Sequence, residues 1–101
     1  MTAVPSYLWV RWIHNSPTYP VILISELDEH RLETRKVEIF SDGRKGFADD
    51  KEEVGGTRLG IVADPPLAEI DDDPQFEPRE ITAVEFEAEW RNRRLSADRG
   101  A

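Results

Sequence analysis

The chain has 101 residues, enough for one domain with a modest core, and its 21 acidic against 13 basic residues give a net charge of −8. It contains no cysteine, which excludes disulfides and thiolate metal sites and favours a cytoplasmic home. The negative charge argues against nucleic-acid phosphates or an anionic membrane as partners, the apolar runs fall far short of the ~20 residues of a membrane span, and the start of the chain lacks the pattern of a signal peptide.

Residues 7–14 (YLWVRWIH) are dense in aromatic and β-branched side chains and predict a strand. Leu8, Val10 and Trp12 fall on one face, and Tyr7, Trp9, Arg11 and Ile13 on the other. Both faces are largely apolar, so the strand is expected to be covered on two sides or to lie at one end of a barrel-like sheet. Residues 15–20 (NSPTYP) form a turn segment, because two prolines interrupt any ladder. Residues 21–27 (VILISEL) begin as a continuous apolar run, as a central strand does.

A polar connection at 28–32 leads to a third strand at 33–40 (ETRKVEIF), where Arg35, Val37 and Ile39 alternate with Lys36, Glu38 and Phe40. The face of Val37 and Ile39 is expected to look inward. Asp42-Gly43 then marks a hairpin turn, since glycine accepts the positive φ that tight hairpins demand. A short fourth strand at 45–48 has Phe47 as its anchor.

Residues 49–53 read as a charged loop. A short extended piece is expected around 58–62. Pro65-Pro66 can open a short helix at 67–72, with Leu67 and Ile70 inward. The last element has the clearest signal. Thr82 and Glu85 match a capping box, with Ile81 and Phe86 at the hydrophobic-staple positions. Glutamates at 85, 87 and 89 sit toward the positive start of that helix, and arginines at 91, 93 and 94 toward its negative end. Ala83, Phe86 and Trp90 share one stripe that should pack on the sheet. Residues 96–101 are expected to fray. The resulting fold class is α+β: one domain, ordered over about 7–95, with an antiparallel sheet of about four strands and a C-terminal helix on one face.

The acidity is segregated. Residues 49–89 carry fourteen acids and three bases, the first 48 residues balance six against six, and the last twelve are net +3. Such a one-sided field selects partners rather than folds.

Motifs for chemistry are scarce. His14 and His30 lack a ligand spacing, so neither metal nor cofactor is expected. Asp71-Asp72-Asp73, with Asp64, Glu69 and Glu77 nearby, could chelate a hard cation, but Pro74 interrupts the run and no calcium-loop pattern is present, so a solvated, helix-ending turn is the plainer reading. Gly55 and Gly60 have phosphate-loop spacing, yet Ile61-Val62 stand where Lys-Ser/Thr is required. No G-x-S-x-G occurs. Tyr7, Trp9 and Trp12 lack the interleaved cations of a single-strand binder. Charges at Arg35, Lys36, Glu38 and Arg44 suit cross-strand pairing, or a recognition face.

Trp12-Ile13-His14 with Pro17 and Pro20, ETRKVEIFSDGR at 33–44, GGTRLG at 55–60 and FEPREITAVEFEAEW at 76–90 together resemble a family of small bacterial proteins of unknown function, commonest in actinobacteria. The resemblance implies organism type and single-domain size, and it brings no catalytic residues. Charge segregation, small size and the missing catalytic motifs together give the expected function, a non-catalytic cytoplasmic binding module. In the immunity- or antitoxin-like form of this reading, acidic loops at Asp49, Asp50, Glu52, Glu53, Asp71, Asp72 and Asp73 dock on a basic protein partner. One alternative is a small-ligand binder or enzyme with a pocket between sheet and helix near Arg35, Arg44 and Arg58. Another is an accessory structural domain. Oligomeric state is left open.

Overall fold

A computed structural model of the chain describes residues 4–95. Among the described residues, six antiparallel strands form one sheet: β1 (Ser6–Trp12), β2 (Ile22–Leu27), β3 (Glu33–Ile39), β4 (Lys45–Ala48), β5 (Glu53–Val54) and β6 (Phe76–Glu80). Their spatial order is β5-β4-β3-β2-β1-β6. Two helices, α1 (Leu67–Asp71) and α2 (Ala83–Arg91), complete the α+β architecture.

The first four strands follow the expected alternation. Trp9, Ile24, Val37, Phe47 and Val54 lie in register across five strands, on the face that receives α2. Ile24, Val37, Phe47, Ile81 and Phe86 are its buried cluster. Leu8, Val10 and Leu27 project from the other face, against Leu67, Ile70 and Phe76. The predicted two-sided burial of β1 follows directly from this arrangement. The β3–β4 hairpin turns at Asp42-Gly43, with Gly43 at φ 87° and the Asp42 carboxylate accepting from the Arg44 amide.

The sheet has six strands, not about four. β5 has only two residues, too few for a periodic signal, and occupies part of the segment 49–53 expected to be a loop. β6 contains Pro78, which reads as a breaker within a sequence but is tolerated on an edge strand. The extended piece expected at 58–62 is irregular, with Ile61 94% and Val62 72% exposed.

The connection from β5 to β6 crosses the sheet face opposite α2. Thr57 Oγ1 donates to Glu38 Oε1 at 2.7 Å, the Gly60 amide to Glu33 Oε1 at 2.6 Å, and the Asp64 amide to Arg31 O at 2.8 Å. This crossover carries the chain from the β5 edge to the β6 edge, and α1 packs against β6 on arrival.

Helix α2 begins as the sequence indicates. Glu85 N donates to Thr82 Oγ1 at 3.1 Å, and Thr82 N donates to Glu85 Oε1 at 3.0 Å. Phe86 is fully buried and Trp90 half-buried, whereas Ala83, expected on the packed stripe, is exposed. The fraying expected of 96–101 lies outside the described residues. Among the described residues, no helix is long and apolar enough to cross a membrane.

Candidate functional site

A concavity of about 380 Å³ lies on the sheet face opposite α2. Leu8, Val10, Leu23 and Ser25 provide its floor from β1 and β2, and Ile70 and Phe76 an apolar wall. Among the described residues, every charged one lining it is acidic: Glu33, Asp64, Glu69 and Asp73. An apolar floor beneath a carboxylate rim is a shape for the aliphatic stem and cationic head of a lysine or arginine.

The rim is held from below by a buried charge network. The Glu33 side chain is only 7% exposed; it accepts from Gly60 N and pairs with Lys36 Nζ at 3.2 Å. Lys36 also approaches Glu38, at 3.8 Å. Arg31 is held at φ 61°, a left-handed conformation uncommon for a residue with a Cβ. The β2–β3 turn enforces it, since Asp28 Oδ1 accepts from both His30 N and Leu32 N. So placed, Arg31 Nε donates to Asp64 O at 2.9 Å and its Nη2 to Pro65 O at 2.7 Å. These bonds fix the backbone that presents Asp64. Burial, and then the neighbouring Glu33 carboxylate, push the Asp64 carboxyl up to about 6, against the opposing pull of Lys36 and Arg31.

The predicted interface acids separate into two places. Asp73 lines the concavity, with Asp71 and Asp72 exposed beside it at the end of α1. Asp49, Asp50, Glu52 and Glu53 lie at the β4–β5 turn, on the other edge of the sheet. Five strand intervals at ~4.8 Å put those edges about 24 Å apart. The β4–β5 acids also have partners within the fold. Asp49 Oδ1 accepts from the Lys51 and Glu52 amides, which hold its carboxyl below the usual carboxylate range. Glu52 pairs with Arg94 at 2.7 Å, and Glu53 with Arg58 at 3.8 Å.

Arg35, Arg44 and Arg58 are not brought together. Arg35 lies between sheet and α2, where it bridges Glu26 and Glu87, each at 2.6 Å, and covers the rings of Phe86 and Trp90. Its hydrogen bonds hold both glutamates below their ordinary range and raise its own pKa. Arg58 lies on the crossover segment, its side chain 80% exposed. Arg44 alone lines a pocket near α2. This second concavity, about 350 Å³, lies at the C-terminal end of the helix and also involves Lys45, Phe47, Val54, Arg93, Arg94 and Leu95.

His14 is structural. Ser16 N donates to its Nδ1, which leaves Nε2 as the donor to Pro20 O at 2.8 Å. Among the described residues, no three His or acidic side chains group so as to hold a metal ion.

Sequence reasoning placed Asp64 and Glu69 only as neighbours of Asp71-Asp72-Asp73 in a possible cation-binding run, and did not find Glu33 or Arg31. Their convergence depends on the crossover, and a non-glycine residue at positive φ leaves no sequence signal. A hint lies in Ile61-Val62 followed by Asp64 and two prolines, an apolar pair in a segment unable to join the sheet.

The chain belongs to the Domain of unknown function (DUF6881) family, whose model matches residues 6–95. No curated protein and no solved structure matches it.

Proposed function

We propose that this protein is a non-catalytic binding module that engages a basic protein partner through the acid-rimmed concavity opposite α2. The single observation that carries this reading is the composition of that concavity, with an apolar floor and only carboxylates among its charged residues. A cationic side chain of the partner enters with its stem on Leu8, Val10 and Phe76 and its head among Asp64, Glu69 and Asp73. Ile61 and Val62, exposed on the segment that borders the concavity, add an apolar flank of the kind that marks interaction surfaces. Asp71 and Asp72 extend the negative field and steer association. In this form the protein acts as an immunity- or antitoxin-like inhibitor in the cytoplasm, neutralising a basic toxin.

Capture from native lysate at low and high salt, read by mass spectrometry, supplies the partner. Association kinetics are then compared for the native chain and for Asp71→Lys/Asp72→Lys/Asp73→Lys. The association rate should fall by about tenfold or more at low salt and converge with the native rate at high salt. Unchanged affinity and association rate in the charge-reversed variant at low salt would sink the proposal, as would a partner that binds equally well after Ile61→Ser.

A further inference from the structure

The second concavity has the opposite charge. Among the described residues, Arg44, Lys45, Arg93 and Arg94 line it and no acid does, in a protein of net charge −8. Part of this basicity serves the fold. Arg93 Nη1 donates to Trp90 O at 2.8 Å and Lys45 Nζ to Asn92 O at 3.3 Å, which satisfies carbonyls at the negative end of α2. Arg94 is paired with Glu52, and Arg44 approaches Asp42 at 3.7 Å.

A surplus remains after these contacts. Among the described residues, neither Lys45 nor Arg93 makes an ion pair with a carboxylate. The nearby Asp49 acts on Arg93 only at a distance, its own carboxylate being held by backbone amides. Arg93 is stacked 4.2 Å from the Trp90 ring centroid and 5.0 Å from that of Phe47. Its Nε is buried and, among the described residues, has no hydrogen-bond acceptor. Stacking fixes the guanidinium at the pocket wall while its charge has no carboxylate partner among the described residues, which favours an anion there. The pocket is also two-sided: beside the cations stand Phe47, Val54 and Leu95, an apolar wall suited to the body of a small organic molecule.

We infer that this concavity binds a small phosphate monoester. The phosphate lies against Lys45 and Arg93, and the organic part against Phe47, Val54 and Leu95. Four lining cations less the two already facing carboxylates leave two, which matches a phosphate monoester, carrying about −1.5 to −2 at neutral pH. The guanidinium fork also suits phosphate oxygens geometrically. This site is on the opposite face from the acidic concavity and takes the opposite charge, so either can fail without the other.

Proton–nitrogen correlation NMR at neutral pH and low salt tests the assignment, with inorganic phosphate and phenyl phosphate as probes. Saturable shifts are expected at Lys45, Phe47, Leu95 and the Arg93 Nε–H, with phenyl phosphate the tighter of the two. Lys45→Gln should weaken phenyl phosphate about tenfold. Arg44→Gln, at an exposed position, should weaken it less. Thermal melts confirm that both variants fold, and Arg93→Lys, which keeps the charge, serves as a third variant should Lys45→Gln melt early. No saturable shift, or equal shifts at Arg11 and Arg79, would overturn the proposal. So would a short single-stranded oligonucleotide that binds these residues more tightly than phenyl phosphate, since the ligand would then be a polymer.

Discussion

Replacing Asp64 with Asn tests the coupling between the acidic concavity and the fold. The Asp64 carboxyl is pushed up from its ordinary 3.8 to about 6 by burial and by Glu33. A raised acid works against folding in its charged form. Below pH ~4 Asp64 is protonated whether the chain is folded or unfolded and costs nothing. Between pH ~4 and ~6 the unfolded chain releases the proton first, and stability falls as pH rises; above pH ~6 the whole penalty is present. At 1.36 kcal/mol per pH unit, a difference of about two units is worth ~3 kcal/mol in a dry site, and solvent screening at this only partly buried position reduces it to about 1 kcal/mol. Asp64→Asn should therefore stabilise the protein by about 1 kcal/mol near neutral pH and by nothing near pH ~4. The backbone is unaffected, because Arg31 grips the Asp64 carbonyl and not its carboxylate. Urea unfolding followed by tryptophan fluorescence across that pH range measures the difference. A variant no more stable than the native chain at neutral pH, or equally stabilised at both ends, would refute the burial argument. Partner affinity should fall in the same variant, so a site that costs stability would be retained for binding.

Three further outcomes follow from the geometry. Arg35→Met should cost about 2–3 kcal/mol in urea unfolding, below the ~3–5 of a fully buried pair because Glu87 is partly exposed. Since Arg35 depresses Glu26 and Glu87, its contribution is present above pH 4.5 and is lost as pH falls, so the deficit should shrink in acid. Thr82→Ala removes the capping-box acceptor and should cost ~1 kcal/mol, seen as faster amide exchange in the first turn of α2. Gly46→Ala would place a Cβ into Thr57 Oγ1 and 3.0 Å from Val54 O, so it should cost ~1–3 kcal/mol in thermal unfolding and loosen the crossover at its first anchor.

Legibility in the sequence followed the range of the interactions. The α2 cap, the Asp42-Gly43 hairpin and the alternation of β1 to β3 depend on residues a few positions apart, and each was visible. β5 and β6 depend on neighbours distant in the chain. Glu53-Val54 is a strand only because Phe47 and Ala48 lie alongside, and Phe76–Glu80 only because β1 offers it an edge. Arg35 illustrates the same limit. Its cross-strand partner Glu26 fits the pairing expected of hairpin charges, but its second partner, Glu87, arrives from a helix 52 residues later.

The charge pattern is where sequence and space diverge most. Along the chain, the acids at 49–53 are the ones lacking a local structural reason, and the C-terminal arginines look like a helix-end complement. In the fold the two groups meet. Arg94 reaches Glu52 across 42 residues and Arg93 acts on Asp49, so that acidic loop is partly neutralised. The arginines in turn gather at the end of β4, and with Arg44 and Lys45 they make a basic concavity within a strongly acidic protein. The acids at 64, 69 and 73 are carried by the crossover to the other face and collect around an apolar floor without a cation among the lining residues. The sheet thus separates two concavities of opposite sign, one lined by acids of the acidic stretch together with Glu33, the other by cations from before and after that stretch. For a partner search, the chemistry of each face is a better guide than the net charge of −8.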